Sequence, residues 1–494
     1  MVLCFCACFL AFNTFGQEAP AKQPLSLADI KSALVGSQTG LVTTNRILIK
    51  QIEDGGIEFE IEDADEKSLR ESGANDELVL GIREALCEKY STKADECAKD
   101  NFKCQIEHYT KALKFHPSDA VVIYNRGISH DDSGNYDAAI ADYTKALEFN
   151  PKYANALFGR GNSYKKNGKL ELALNDFSQA IQLNPKDPDY YFNRAAAYSD
   201  DAKYALAIKD YSTYLGLKPK QADAHNNRGE AYLENEQYDL AIRDFTTAIS
   251  LKPGDSNQFV NRGRAFGAKD QFVSAIRDFD KAIRLDAKNA YAYHNRAFTN
   301  FRLKAYDLAL RDYNKAIKIE PTAGRFVDRG LVFKEKKDFA GALSDLNEAI
   351  KLNSAYSLAY YYSGEIFAAS KDYEPAIVNF SKAIEYDADD PDAYFGRGSI
   401  YLDIADYQNS LKDFNKVIEL SPKNSSAYTN RGLIYLRTED YQKCIADSSM
   451  AIKLDPSNGI AYGNRALAYE EIGETKKAEL DKKTSEQLEK KRIP

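Results

Sequence analysis

The chain has 494 residues, 44% of them hydrophobic and 28% charged, with 14 Pro and 27 Gly, which excludes both a disordered and a collagen-like chain. A net charge of −8 speaks against a general binder of nucleic-acid backbones. Aromatic usage is lopsided, with 33 Tyr and 25 Phe but no Trp, as arises when one packing position is used again and again.

In chain order, residues 1–16 read as a secretory signal. The apolar run 2–12 is too short to span a bilayer, which takes about 20 residues. Thr14 and Gly16 supply the small residues of a cleavage site before Gln17, although no Lys or Arg precedes the run. Export to the periplasm or outside the cell, with association to the envelope, is the expectation, and a cytoplasmic protein is the alternative. Cleavage would remove Cys4, Cys6 and Cys8 and leave Cys87, Cys97, Cys104 and Cys444. No later stretch has 18 consecutive apolar residues, so no transmembrane span is expected.

Residues 17–23 read as a linker and 24–84 as a small, mostly helical module. Helices are predicted over 26–35, 41–52, 63–71 and 76–86. Gly55-Gly56 breaks the chain, and the alternation over 57–61 predicts one short strand. Eight acids and no base lie between Glu53 and Glu66; they equal the whole net charge, so the remainder is balanced.

From Arg126 onward the sequence keeps a beat of 34 residues. Arginine recurs at 160, 194, 228, 262, 296, 329, 397, 431 and 465, with one step of 33 and Ser at the expected position 363. Eleven units follow: 120–153, 154–187, 188–221, 222–255, 256–289, 290–322, 323–356, 357–390, 391–424, 425–458 and 459–492. Within a unit, position 8 is always Gly or Ala, position 20 is nearly always Ala, and positions 4, 11 and 24 are mostly aromatic. Positions 4, 8 and 11 have the spacing of one helix face, as do 20, 24 and 27. Gly or Asn near position 15 predicts a turn between the two helices, and Pro precedes eight of the units. A hairpin of this kind buries its apolar face only against a neighbour, so stacking makes the core.

These residues resemble the tetratricopeptide repeat family over 120–492, with a degenerate twelfth unit at 85–119. In that degenerate unit, residues 101–117 fit a second helix and 85–100 fit a first helix poorly. The resemblance implies an all-α, right-handed superhelical solenoid of stacked antiparallel hairpins. It also implies a non-catalytic scaffold that binds partner proteins or extended peptide segments in a concave groove. A structural component of a cell-envelope assembly with no peptide ligand is the alternative. Position 4, often Trp in the family, is mostly Tyr or Phe here.

The arginine at position 7 is followed 16 residues later by Asp at position 23. Positions 7 and 23 fall at equal height in a hairpin that turns near 15. We therefore expect a structural pair in each unit: Arg126 with Asp142, Arg160 with Asp176, Arg194 with Asp210, Arg228 with Asp244, Arg262 with Asp278, and onward. Unit 8 lacks both partners, having Ser363 and Asn379. A functional ladder of charge is the alternative reading.

In the family, positions 2, 5, 9, 12 and 13 line the groove, and position 6 lies on the same side. Position 6 is Asn125, Asn193, Asn227, Asn261, Asn295, Asn430 and Asn464. An amide both donates and accepts, so such a row can hold a peptide backbone; bonding to its own helix or to water is the plainer use. Tyr124, Phe158 and Phe192 at position 5 are expected to add aromatic contacts to that groove.

Cys97 and Cys104 flank the turn of the degenerate unit, where a disulfide, free thiols or a metal site completed by His108 all remain open. Cys444 stands where the other units carry a small core residue. No phosphate loop, HExxH, GxSxG or paired CxxC occurs, and His is confined to five positions. We expect no catalysis, no cofactor and no nucleic-acid partner.

Overall fold

The fold is described from a computed structural model covering residues 23–37 and 40–492. The expected signal (1–16) and most of the linker lie outside the described residues. Among the described residues there are 27 helices, and the protein is an all-α repeat solenoid. No described helix is long and apolar enough to cross a membrane. The chain forms two compact blocks, one up to Gln237 and one from Tyr238 on.

The first block begins with α1 (Leu27–Val35), α2 (Leu41–Gly55), α3 (Asp63–Glu71) and α4 (Asp76–Glu96). Ser26 caps α1 by accepting from the Asp29 backbone, while Asp29 answers with a reciprocal bond to Ser26. Ile30, Leu34, Leu48, Ile52, Leu69, Leu78 and Ile82 form the core of this module. The predicted strand at 57–61 is absent: Ile57 makes a single parallel bridge to Leu25 and no ladder follows. One alternating stretch makes a strand only with an extended partner, and here Leu25 is followed at once by α1.

Helix α4 runs ten residues past its predicted end at 86. No Gly or Pro interrupts it after Gly81, and Val79, Ile82, Leu86, Tyr90 and Ala94 continue one buried stripe. The boundary drawn between 84 and 85 therefore falls inside a helix. Helix α4 packs on α2 and also on α5 (Phe102–Phe115), so the module and the degenerate unit share one core.

Unit 1 consists of α6 (Ala120–Asp132) and α7 (Tyr136–Phe149), and the same two-helix pattern recurs to Arg492. Asp119 caps α6 and Asn135 caps α7. Between the helices, position 15 is left-handed in every unit, whether Gly134 (φ 82°), Ala202 (φ 52°) or Lys304 (φ 59°) occupies it. The turn is thus imposed by the hairpin and not by glycine alone.

The buried face of the first helix is wider than positions 4, 8 and 11. Positions 3 and 10 are buried in all units, as with Ala156 and Ser163 in unit 2 or Ala427 and Ile434 in unit 10. Position 3 lies 100° of helix turn from position 4. Rings at position 24 (Tyr143, Phe177, Tyr211, Phe279, Tyr313, Phe380, Phe414) fill the space between helices. The small residues at position 8 make room for them: a Cβ on Gly161 would stand 2.7 Å from the Phe177 ring. Within each block, successive first helices also touch one another.

Candidate functional site

Nine of the arginines at position 7 grip their aspartates with two bonds each. Arg126 Nε and Nη2 donate to Asp142 Oδ2 and Oδ1 at 2.8 and 2.6 Å. The same fork joins Arg160 to Asp176, Arg194 to Asp210 and Arg262 to Asp278. It recurs at Arg296 and Asp312, Arg329 and Asp345, Arg397 and Asp413, Arg431 and Asp447, and Arg465 and Asp481. Arg228 and Asp244 belong to different blocks. The Asp312 carboxylate holds the Arg296 guanidinium above its ordinary range.

A third bond was not legible from the pairing. Arginine Nη1 reaches back to a small polar side chain on the second helix of the preceding unit. Arg160 bonds Thr144 at 3.1 Å, Arg194 bonds Ser178 at 3.1 Å, and Arg228 bonds Ser212 at 3.1 Å. Arg262 meets Thr246, Arg296 meets Asp280, and Arg465 meets Ser449 in the same way. Position 25 is polar throughout, and that was the available signal. The charges face one another inside the stack, which is the geometry of a clasp. In unit 8, Ser363 and Asn379 bond the carbonyls of Ala359 and Pro375 on their own helices, both at 2.8 Å.

The amides at position 6 sit beside the contact between units. Asn125, Asn193, Asn227, Asn261, Asn295 and Asn430 are half-buried, and Asn464 is buried. Asn193 donates to Asp189 O at 2.9 Å and Asn295 to Tyr291 O at 2.8 Å, each on its own helix. Asn464 donates to Thr429 O of the preceding unit at 3.2 Å. Where Gly interrupts the row, a Cβ on Gly159 would stand 2.8 Å from Tyr143, and one on Gly396 would stand 2.6 Å from Phe380.

Tyr124, Phe158 and Phe192 at position 5, expected in the groove, are half-buried and also pack inward. Their rings lie 5.6, 5.8 and 5.5 Å from Tyr143, Phe177 and Tyr211. Further rings at Tyr153, Tyr190 and Tyr214 close on them at 4.9, 5.0 and 5.1 Å. Val260, Val327 and Thr429 at position 5 are buried outright.

The uncovered side of the first helices is instead centred on positions 2 and 9, one above the other at i, i+7. In the second block this side carries Tyr291 (63% exposed), Phe298 (45%), Leu358 (42%), Ile460 (54%) and Leu467 (49%). In the first block it carries exposed Val121, Asn155, Asp189 and Asp223 at position 2. At its edge, His294 Nε2 stands 3.6 Å from Asp328 Oδ2. Burial pushes Asp328 up to about 6 and His294 down to about 4.

The structure joins Cys97 and Cys104 in a disulfide with 6.1 Å between Cα atoms, tying the end of α4 to the start of α5. Those sulfurs are committed to one another and not to a metal beside His108. Cys444 is fully buried.

Family models match several of these repeats. A model described as TPR repeat matches residues 132–168, 161–201 and 364–404. Models described as tetratricopeptide repeat match 222–255 and 290–323, 391–424, and 414–446. Among solved structures, the chain is 24% identical to YrrB, a TPR protein with an unusual peptide-binding site, over 38% of this chain and 97% of that one (TM-score 0.36). It is 17% identical to yeast Tom70 over 81% and 96% of the two chains (TM-score 0.43). It is 21% identical to a tetratricopeptide repeat protein from Parabacteroides merdae over 51% and 99% (TM-score 0.45). No curated protein matches the chain.

Proposed function

The chain is a tetratricopeptide repeat protein, a protein-interaction scaffold, and from that premise we propose that it holds extended segments of partner proteins without catalysing a reaction. One observation carries the reading: large apolar side chains stand exposed on the uncovered side of first helices, led by Tyr291 and Phe298. Exposed aromatic anchors with polar neighbours are what a binding surface offers. The half-buried amides flank this side and supply bonds to a backbone laid along it.

Peptides displayed on phage and selected on the full chain test the idea. Enriched peptides are expected to bind Tyr291→Ser with Phe298→Ser at least about tenfold more weakly, since an interface anchor contributes 1–2 kcal/mol or more. Both residues are exposed, so the fold is kept. A chain that enriches nothing and instead forms concentration-dependent oligomers is an assembly part with no ligand, and that result defeats the proposal.

We also propose export to an oxidising compartment. The apolar run 2–12 and the disulfide between Cys97 and Cys104 support it. Alkylating intact cells before lysis is expected to leave both cysteines unlabelled; labelled thiols would place the protein in the cytoplasm.

A further inference from the structure

A set of metal-ligating side chains converges where the N-terminal helices meet the first repeat. Cys87 lies on α4, His116 is the C-cap of α5, and Asp119 is the N-cap of α6. One ligand atom from each lies within 4.8 Å of the other two. His116 Nδ1 is 3.6 Å from Asp119 Oδ2, and Cys87 Sγ is 4.0 Å from the same oxygen. The second carboxylate oxygen, Oδ1, accepts from the Val121 and Val122 backbones at 2.9 and 3.1 Å. One oxygen thus fixes the carboxylate while the other is presented beside sulfur and nitrogen, as outer-shell bonds orient ligands in metal sites.

Metal–ligand bonds of about 2.0–2.3 Å at tetrahedral angles place ligand atoms about 3.3–3.7 Å apart. The observed 3.6 and 4.0 Å need a closure of about half an ångström or less, and the third pair, Cys87 Sγ and His116 Nδ1, lies within 4.8 Å and closes by rotation of the half-exposed imidazole. A thiol, an imidazole and one carboxylate suit an ion of the zinc class; calcium and magnesium call for oxygens. Helix capping does not call for His116, because the corresponding C-caps elsewhere vary among Asn150, Asn184, Lys218, Asp286 and Ser421.

We propose that Cys87 Sγ, His116 Nδ1 and Asp119 Oδ2 bind one divalent transition-metal ion of the zinc class, with a fourth position open to water. Cys87 is 3% exposed, whereas the side chains of His116 and Asp119 are 36% and 27% exposed, so the ion enters from their side. Binding forms one bond to each ligand atom and releases the thiol proton to solvent. The ion ties α4 to α6 and so fastens the N-terminal helices to the first repeat.

The full chain, with its disulfide intact, is titrated with Co²⁺ and then Zn²⁺. We expect one equivalent of Co²⁺, a thiolate-to-cobalt band in the near ultraviolet, and loss of the band on adding Zn²⁺. With Cys4, Cys6 and Cys8 replaced by Ser throughout, Cys97 and Cys104 bonded and Cys444 buried, that band reports Cys87. Cys87→Ser is expected to abolish the band. His116→Asn, which installs the cap of the neighbouring units and so keeps the fold, is expected to weaken Zn²⁺ binding more than about 100-fold, as even outer-shell changes cost 10–100-fold. Cys97→Ser with Cys104→Ser is expected to bind as before. Failure of that parent chain to bind one equivalent, undiminished binding by His116→Asn, or loss in the double variant would each overturn the proposal.

Discussion

Replacing Asp278 by Asn removes the charge from one clasp and leaves its shape. Arg262 gives Asp278 two bonds of 2.8 Å, and the two side chains are 19% and 6% exposed. Breaking a fully buried ion pair costs about 3–5 kcal/mol, and a bond to a charged group is worth about 1.5–3 kcal/mol. Asn keeps one acceptor, and Arg262 keeps its bond to Thr246 and its place over the Phe259 and Phe266 rings. A cost of about 2–3 kcal/mol follows from losing one charged bond and weakening the other. Stacked repeats open locally, so a single melting curve is a poor readout. Native-state hydrogen exchange of the two helices of unit 5 (Ser256–Ala268 and Phe272–Leu285) is the suitable assay, with exchange accelerated about 30- to 150-fold. Arg262→Ser with Asp278→Asn copies unit 8 and is expected to recover part of the loss. Unchanged exchange in Asp278→Asn, or a double variant as bad as both single changes summed, would refute the clasp.

Two further outcomes follow from the geometry. On one helix, Gly263→Ala forces a Cβ to 2.6 Å from the Phe279 ring and is expected to cost about 1–3 kcal/mol, whereas Gly267→Ala meets open space and is expected to gain up to about 1 kcal/mol; equal effects on native-state hydrogen exchange of that helix would disprove the packing account. Burial raises Asp328 to about 6, so its stabilising contribution is full below about pH 4 and lost as pH rises through about 6. His294, lowered to about 4, runs the other way, giving stability above about pH 6.5 that is lost as pH falls through about 4. Asp328→Asn is therefore expected to change little near pH 4 and to stabilise near pH 8. The full shift corresponds to about 3 kcal/mol, and we expect about 1–2 kcal/mol because the side chain is 31% exposed. Equal changes in hydrogen-exchange protection of the helix carrying Asp328 at the two pH values, each relative to the unaltered chain, would contradict this.

The hairpin rhythm could be read from the sequence because eleven copies repeat it. The spacing of 16 residues between Arg and Asp could be read for the same reason. The phase of the first helix could not. A helical wheel drawn on the aromatics at 4 and 11 overlooks positions 3 and 10, where small residues such as Ala156 and Ser163 are buried without being conspicuous. Position 5 lies about 100° from position 4 on the opposite side from position 3, and the contacts of Tyr124, Phe158 and Phe192 with rings at position 24 come from the second helix, which a wheel of the first helix alone does not show. The length of α4 was hidden because its residues beyond 86 belong to no repeat, and the meeting of Cys87 with Asp119 joins helices 32 residues apart.

The third arginine bond bears on how such a chain lengthens. Every unit but the eighth brings its own donor at position 7, and units 1 to 10 carry a side chain able to accept at position 25 for the unit that follows. Even unit 8, which has no arginine of its own, still offers Ser381 to Arg397. A copied unit inserted in register therefore arrives with both halves of its joints, and a deleted one leaves two compatible ends. The number of repeats becomes a quantity that duplication can adjust while the joints stay unchanged.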